Sequence, residues 1–320
     1  MQLFPHLSPD SNKIVFQSTD ENTNILNSPL RIKSLIDNSE TIQIAQNGGY
    51  PRWASNGESI TFLSSQDNIT NIWKVDPVTR KAIQITRNGI SFEGYSRSPF
   101  NLLANPFSWA KTQKKIFYVS KQYGVFNIWS VDENGLNEQM LTKNEDKNFK
   151  YFSPTPSFDD SKIAFTFRIQ SEPNKFKYGL AIISNNVIQN LYETDSLVRL
   201  LGWNGNKNEL VVAEKNGKDV EIFKFSVAFN SKPISEAKLV GANIHGVALS
   251  PDLTKIAYPA GREGIDNIYI YSASEKENQL TSNLDESILF SGINWAYNGD
   301  KLFYSKQFGG FQISMITDTR

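Results

Sequence analysis

Hydrophobic and polar residues alternate in short runs along most of this chain, and the runs fall into sets of four. Residues 50–89 show the unit: PRWA, SITFLS, NIWKV and AIQIT, parted by Ser55-Asn56-Gly57-Glu58, by the polar residues 66–70 and by Asp76-Pro77. Each run is β-branched or aromatic, and each break carries Asn, Gly, Pro or Asp, which supply turn geometry. The pattern predicts four short antiparallel strands. A sheet of that size cannot cover both of its own faces, so it needs neighbours of the same kind.

The neighbours are in the sequence. Runs matching the second strand recur as SPDSNKIVF, ASNGESITF, KTQKKIFY, SFDDSKIAF, NGNKNELVV, SPDLTKIAY and AYNGDKLFY. Their aligned aliphatic residues are Ile14, Ile60, Ile116, Ile163, Leu210, Ile256 and Leu302, at spacings of 46, 56, 47, 47, 46 and 46 residues. A period that regular marks a repeat architecture. Strand-only repeats of this length predict a β-propeller, with sheets arranged around a channel. The expected fold is all-β: a single seven-bladed propeller over 1–320, four antiparallel strands per blade, with negligible helix. The blades run roughly 1–48, 49–89, 90–147, 148–195, 196–243, 244–287 and 288–320. Third strands recur seven times, from RIKSL and NIWKV to FQISMI, but fourth strands only six times, as TIQIA, AIQIT, QMLT, IQNLY, AKLVG and NQLT. The last blade is therefore expected to be incomplete or closed by a terminus, since an open strand edge invites aggregation. A fourth strand in phase would lie at or before Met1, so the expectation is a chain cut from a longer polypeptide.

SPDSNKIVF, SPDLTKIAY, NIWKVD, NIWSVD and NQLT resemble the WD-like repeats of TolB-type β-propellers, and the resemblance covers essentially the whole chain. TolB-like propellers are similar in fold but diverse in role. The resemblance implies one of three settings: the extracytoplasmic sensor part of a membrane-anchored protein, the gating domain of a prolyl-oligopeptidase-like peptidase, or a pectate-fragment lyase. Fold alone does not choose among them.

Composition narrows the field. The chain has 320 residues, 39% hydrophobic and 21% charged, as folded proteins do. Its 33 basic and 33 acidic side chains cancel, which argues against nucleic-acid contact by this domain. No apolar run reaches the roughly 20 residues of a membrane span. Cysteine is absent, which excludes disulfides, thiol catalysis and thiolate metal sites.

Candidate chemistry is sparse. Trp53, Trp109, Trp203 and Trp295 close first strands, while Trp73 and Trp129 sit within third strands. They could stack on sugars, but wedging between adjacent sheets explains every one of them. Asp10, Asp160, Asp252 and Asp300 recur once per repeat, which fits turn-forming carboxylates better than a converging acid–base pair. His6 and His245 lie near first strands of different repeats, and neither has a carboxylate cluster beside it in the sequence. There is no G-x-S-x-G and no Walker or Rossmann glycine pattern. No metal, cofactor or catalytic residue is expected.

Two places break the period. Ten extra residues fall in the connection 87–104, and a second elongation spans 168–178. Strand alternation puts fourth-to-first and second-to-third connections on the same face, and outsized loops carry function more often than the scaffold does. The candidate contacts are Tyr95, Arg97 and Phe100, then Arg168, Phe176 and Tyr178, with Arg199, His245 and Arg262 from neighbouring connections. The expected activity is non-catalytic binding of a protein partner or small ligand on that face. The expected setting is periplasmic or otherwise extracytoplasmic, with attachment to a further domain. The alternative is a propeller enzyme, or an enzyme-associated gating domain, of peptidase or polysaccharide lyase or hydrolase type.

Overall fold

The computed structural model of the protein describes residues 2–18, 26–37, 39–91, 105, 107–205, 208–228, 231–309 and 311–319. Among them the chain is antiparallel β, with a 3-10 turn at Ile244–Gly246 and no α-helix. Strands β1 (Gln2–Leu7), β2 (Lys13–Ser18), β3 (Ser28–Ser34), β4 (Ile42–Trp53), β5 (Ile60–Gln66), β6 (Ile69–Val75) and β7 (Ala82–Gln84) form one seven-stranded sheet in sequence order. Three four-stranded sheets follow. They are β8 (Phe107–Trp109) to β11 (Gln139–Met140) by way of β9 (Lys115–Gln122) and β10 (Val125–Asp132); β12 (Phe149–Pro156), β13 (Lys162–Glu172), β14 (Lys175–Ser184) and β15 (Val187–Thr194); and β16 (Val198–Trp203), β17 (Glu209–Asn216), β18 (Asp219–Ser226) and β19 (Ile234–Leu239). A fourth holds β20 (Ala248–Leu249), β21 (Lys255–Arg262), β22 (Ile265–Ser272) and β23 (Lys276–Gln279), and a three-stranded sheet holds β24 (Leu289–Trp295), β25 (Lys301–Phe308) and β26 (Phe311–Asp318).

The seven-stranded sheet is two four-strand sets sharing one strand. The first half of β4 pairs with β3 (Ile32↔Ile42, Ser28↔Gly48), and the second half pairs with β5 (Gly49↔Leu63, Trp53↔Ile60). The sequence predicts two separate strands here. They join through a bulge at Tyr50, where the register slips between Gly49 and Arg52, and Gly48 lets Phe62 close in: a Cβ there would meet the Phe62 ring at 2.6 Å.

The chain divides into two compact units, Met1–Arg87 with Gly246–Arg320, and Asn88–His245. In both, the core lies between consecutive strand sets. Within the second unit, Phe117, Phe126 and Ile128 pack with Tyr151, Ile163, Phe165 and Phe167 of the next set. Ala164, the residue between two of those, points the other way, into a cluster with Leu200, Trp203 and Val212. This is the period of two expected of a strand covered on both faces. Within the first unit, Val15, Leu30 and Ile32 join Trp53, Ile60 and Phe62, while Ala257 and Ile268 join Phe290, Trp295 and Leu302. A further cluster of that unit brings Ala296 and Phe303, from the last set, against Leu7, Ile14 and Phe16 of the first.

Side-chain hydrogen bonds repeat with the strands. The indole N–H of Trp203 donates to the Thr155 carbonyl at 2.9 Å, and that of Trp295 donates to the Ala248 carbonyl at 3.0 Å. Each ties a first strand to the first strand of the preceding set. Within a set, the recurring Asn-Ile of the third strand meets the Thr that follows the fourth. Thr142 Oγ1 donates to Asn127 Oδ1 at 2.8 Å and accepts the Ile128 N–H at 2.9 Å. Thr86 with Asn71 and Thr281 with Asn267 repeat the clasp.

The Ser-x-Asp turns behave as expected at Asp10 and Asp252, which accept from Ser8 and Ser250. In the fourth set the position belongs to Asp159, which accepts from Ser157 at 2.6 Å, and not to Asp160. Asp160 reaches back instead to the preceding set and accepts from the backbone N–H groups of Lys111, Thr112 and Gln113.

First strands are also bulged. The register slips between Leu3 and His6, Gly49 and Arg52, Phe152 and Thr155, Leu200 and Gly202, and Ser291 and Asn294. Phe4, Tyr50 and Ser153 take left-handed backbone at these slips, with φ of 50°, 53° and 51°. An extra residue in one strand bends it and re-aims its side chains, and large side chains adopt such backbone only when the surroundings impose it.

Thr142→Val keeps the shape of the Asn127–Thr142 clasp but orphans the buried Ile128 N–H. The expected loss is about 1–3 kcal/mol, read from the urea midpoint; an unchanged midpoint would show that the clasp adds nothing.

Candidate recognition surface

The elongation at 168–178 is a hairpin and not a loop. β13 and β14, of 11 and 10 residues, pair without a break from Lys162↔Ser184 to Gln170↔Phe176 and close with Glu172↔Lys175. Asn174, at φ 62°, takes the left-handed turn position that Asn tolerates. The pairing continues because Phe167 and Ile169 supply an apolar face on one strand while Gly179 clears space on the other. A Cβ on Gly179 would meet the Phe167 ring at 2.2 Å. The exposed Glu172–Lys175 ion pair at the tip, 2.7 Å, adds little stability.

The hairpin holds a cation among rings. Arg168 Cζ lies 4.6 Å from the Phe176 ring centre and 5.9 Å from that of Phe152 in β12. All three side chains are half-buried. Lys150 is the register partner of Arg168 across β12 and β13, and its Nζ sits 4.9 Å over the Phe126 ring, which Lys121 approaches at 5.3 Å. Tyr178, register partner of Arg168 on the other side, packs against the cluster of Val198 and Leu200 and so anchors the hairpin. Of the candidates named from sequence, the structure brings Arg168, Phe176 and Tyr178 together. Sequence reasoning missed Phe152, Lys150, Lys121 and Phe126. The available signal was the alternation in FKYFSPTP, which puts Lys150 and Phe152 on one face of β12.

Arg199 and His245 also meet. Arg199 Nη1 donates to the carbonyls of Ile244 and His245 at 3.0 and 2.8 Å, stapling β16 to the 3-10 turn. Burial pulls its guanidinium down to about 10. Lys215 Nζ lies 3.4 Å from the Ala242 carbonyl. The His245 imidazole is held down to about 4, first by burial, then by the Arg199 and Lys215 charges. Its Nδ1 is buried with no hydrogen-bond partner among the described residues.

In the other unit, Arg262 is occupied. It forms a two-pronged pair with Glu277, 2.7 Å on each prong, and lies 3.9 Å from the centre of the Tyr269 ring. The Tyr258 hydroxyl donates to the same carboxylate. The Arg262 contact holds Glu277 below the usual carboxylate range. His6 Nδ1 accepts the Trp53 backbone N–H at 3.2 Å, and burial followed by the Arg52 charge lowers it to about 3. Tyr50 and Phe4, at the bulges, bring their ring centres within 4.1 Å. Tyr95, Arg97 and Phe100 lie outside the described residues. Among the described residues no group of three His, Asp or Glu side chains is placed to hold a metal ion.

No protein-family model and no curated protein matches the sequence. Solved structures do. The chain is similar to TolB from Acinetobacter baumannii at 15% identity and TM-score 0.53, over 84% of this chain and 63% of that one. It is similar to a puromycin-hydrolyzing peptidase of Mycobacterium tuberculosis at 13% identity and TM-score 0.70, over 100% of this chain and 52% of the peptidase. It is similar to an oligogalacturonate lyase in complex with manganese at 14% identity and TM-score 0.60, over 82% of this chain and 74% of the lyase. Likeness at these identities shows the fold, which is that of TolB-like β-propellers, and leaves activity to the site.

Both imidazoles sit below their ordinary value of 6.5 in the folded chain, at about 4 for His245 and about 3 for His6. The unfolded chain therefore binds protons that the folded chain does not, starting near pH 6.5. Stability contributed by neutral His245 and His6 is whole above that pH and is lost as pH falls through 4 toward 3. NMR titration of the imidazole protons is expected to give both midpoints well under 6.5; a midpoint at the ordinary value for either would refute the burial that lowers it.

Proposed function

We propose that this TolB-like β-propeller is a non-catalytic recognition module whose contact surface centres on the β13–β14 hairpin. One observation carries the reading. Several other polar groups described above are used by the scaffold: carboxylates in turns, Arg262 on Glu277, Arg199 on backbone carbonyls, His6 on a backbone N–H. Arg168, half-buried between Phe152 and Phe176, makes no hydrogen bond or ion pair among the described residues. Arg beside aromatic rings is the composition that dominates binding energy at protein interfaces.

The finer reading is a single ring of seven blades, the ligand- or protein-sensing part of a larger extracytoplasmic or membrane-anchored protein. The seven strand sets support the blade number. The contact between the last set and the first supports closure. Among the described residues no helix is long and apolar enough to cross a membrane.

A second reading rests on the similar structures, which include a peptidase and a lyase. In it the chain is the propeller part of an enzyme. The chain spans 52% of the peptidase and 63% of TolB, which fits a propeller that works beside another domain.

Turnover by the chain itself separates the recognition reading from the form of the second in which the propeller carries the catalytic site. The purified chain is expected to leave aminoacyl and prolyl anilides uncleaved, and oligogalacturonate uncleaved with or without manganese. Cleavage that co-elutes with the chain would overturn the recognition reading in favour of the second.

A further inference from the structure

We propose that the outer edge of β26 takes up one extended segment of another polypeptide as a fourth strand, antiparallel to β26, with an Asp or Glu of that segment meeting Arg31. This surface belongs to the unit that lacks the β13–β14 hairpin, and it stands without the reading of that hairpin.

The first argument is the edge. Among the described residues every other set has a fourth strand beside its third, and β26 pairs with β25 alone. The carbonyls of Ile72, Ile128 and Ile268 each accept an N–H from the fourth-strand run. Register puts Ser314 in their position, so its main-chain groups face the open side. Unpaired main chain of this kind is what adds a strand. The usual devices that blunt an edge are missing, since 311–318 holds no Lys, Arg or Pro. Ile313, Met315 and Ile316 are 43%, 36% and 46% exposed, where their counterparts in the preceding set, Asn267, Tyr269 and Ile270, are 5%, 5% and 8%.

Arg31 is the second argument. One third-strand position in each set shares the face turned to the preceding set. It holds Trp73, Trp129, Ala181, Phe223, Tyr269 and Met315 in six sets, and Arg31 in the first. Trp73 and Phe223 pack in clusters that include fourth-strand residues of the preceding set, Ile44 and Leu191. Arg31 is the register partner of Phe16, which packs with Phe303 of the last set. Its corresponding neighbour is therefore the strand that the last set lacks. Arg31 is half-buried, its Nε is shut off from solvent without a partner, and it makes no hydrogen bond or ion pair among the described residues. A guanidinium left so is costly. A carboxylate on the added strand offers it two parallel charge-assisted bonds.

The opening itself chooses the occupant. The sets on either side keep their fourth strands, β23 on one and the first half of β4 on the other. The place beside β26 is one strand spacing deep, about 4.8 Å. A second copy of the chain would bring β25 in with its β26 and meet those flanking strands first, whereas a lone segment fits. Ile313 also stands where Asn71, Asn127 and Asn267 clasp a Thr. A strand seated here has no such clasp, which suits a segment that binds and leaves.

The test uses the whole chain, amide NMR and calorimetry, with the capped peptide Lys-Val-Thr-Glu-Thr-Val-Lys. Its counterparts carry Gln for Glu, or methyl groups on alternate backbone nitrogens in the two possible phases. The Glu peptide is expected to bind saturably and to slow amide exchange at Ser314 and Ile316. The Gln peptide is expected to bind about tenfold more weakly. One methylation phase is expected to abolish binding and the other to spare it. Arg31→Gln is expected to bring the Glu peptide down to the Gln peptide's affinity and leave the latter unchanged, while Ile316→Lys weakens both. Equal affinity of the Glu and Gln peptides for the unaltered protein would overturn the proposal, whatever the variants do. So would equal tolerance of both methylation phases, or absence of binding. A dimer in sedimentation that Ile316→Lys dissolves would assign the edge to a second copy and overturn it too. None of these outcomes touches the reading of the hairpin.

Discussion

The structure depends on one constraint: a sheet of four short strands, apolar on both faces, has to be covered on both. The middle strands show it most plainly. Ile163, Phe165 and Phe167 of β13 go into one cluster, and Ala164 goes into the other. Each fully buried large aliphatic or aromatic side chain contributes about 1.5–3 kcal/mol. Each of these clusters is shared between consecutive sets, so a set has little stability of its own and depends on its neighbours. Within the first unit the rule extends to the ends of the chain, where Phe303 packs with Ile14 and Phe16.

Polar groups obey the same logic. Burying a sheet on both sides leaves turn and strand-end groups needing partners, and the repeat supplies them with a few side chains used again and again. Thr and Asn clasp third and fourth strands. Ser and Asp close the turns. Trp203 and Trp295 pack their rings in the clusters between consecutive sets and satisfy a carbonyl of the preceding set with their N–H groups. Asp160 serves a neighbouring turn instead of its own. A propeller built this way commits the side chains that recur with the repeat to its own architecture, and on the proposed reading recognition falls to places where the repeat is broken.

The β13–β14 hairpin is such a place. It runs beyond the ordinary strand length and carries its cation on a face that β12 and β14 share. The Arg199 corner, also an irregular place, went the other way. There a cation fixes a 3-10 turn through two carbonyls and keeps a neighbouring imidazole neutral. The difference is burial together with the acceptors at hand: Arg199 faces carbonyls of its own chain, and Arg168 faces rings, which hold a guanidinium without occupying its donors.

By itself the sequence determined the strands, the repeat and the packing role of Trp53, Trp203 and Trp295, because each is a local matter. A strand's two-residue period shows in ten residues, and six spacings, five of them 46 or 47, need no coordinates. Even the clasp leaves a trace, in the Asn-Ile and Thr that recur together. The tertiary structure alone decided what meets across strands. The joining of two predicted strands into β4, the left-handed bulges at Phe4 and Tyr50, the exchange of roles between Asp159 and Asp160, and the seating of Arg168 beside Phe152 all follow from register. A shift of one residue would send Arg168 to the opposite face. Register is set by bulges, turns and the packing of the next sheet, which no stretch of sequence carries within itself.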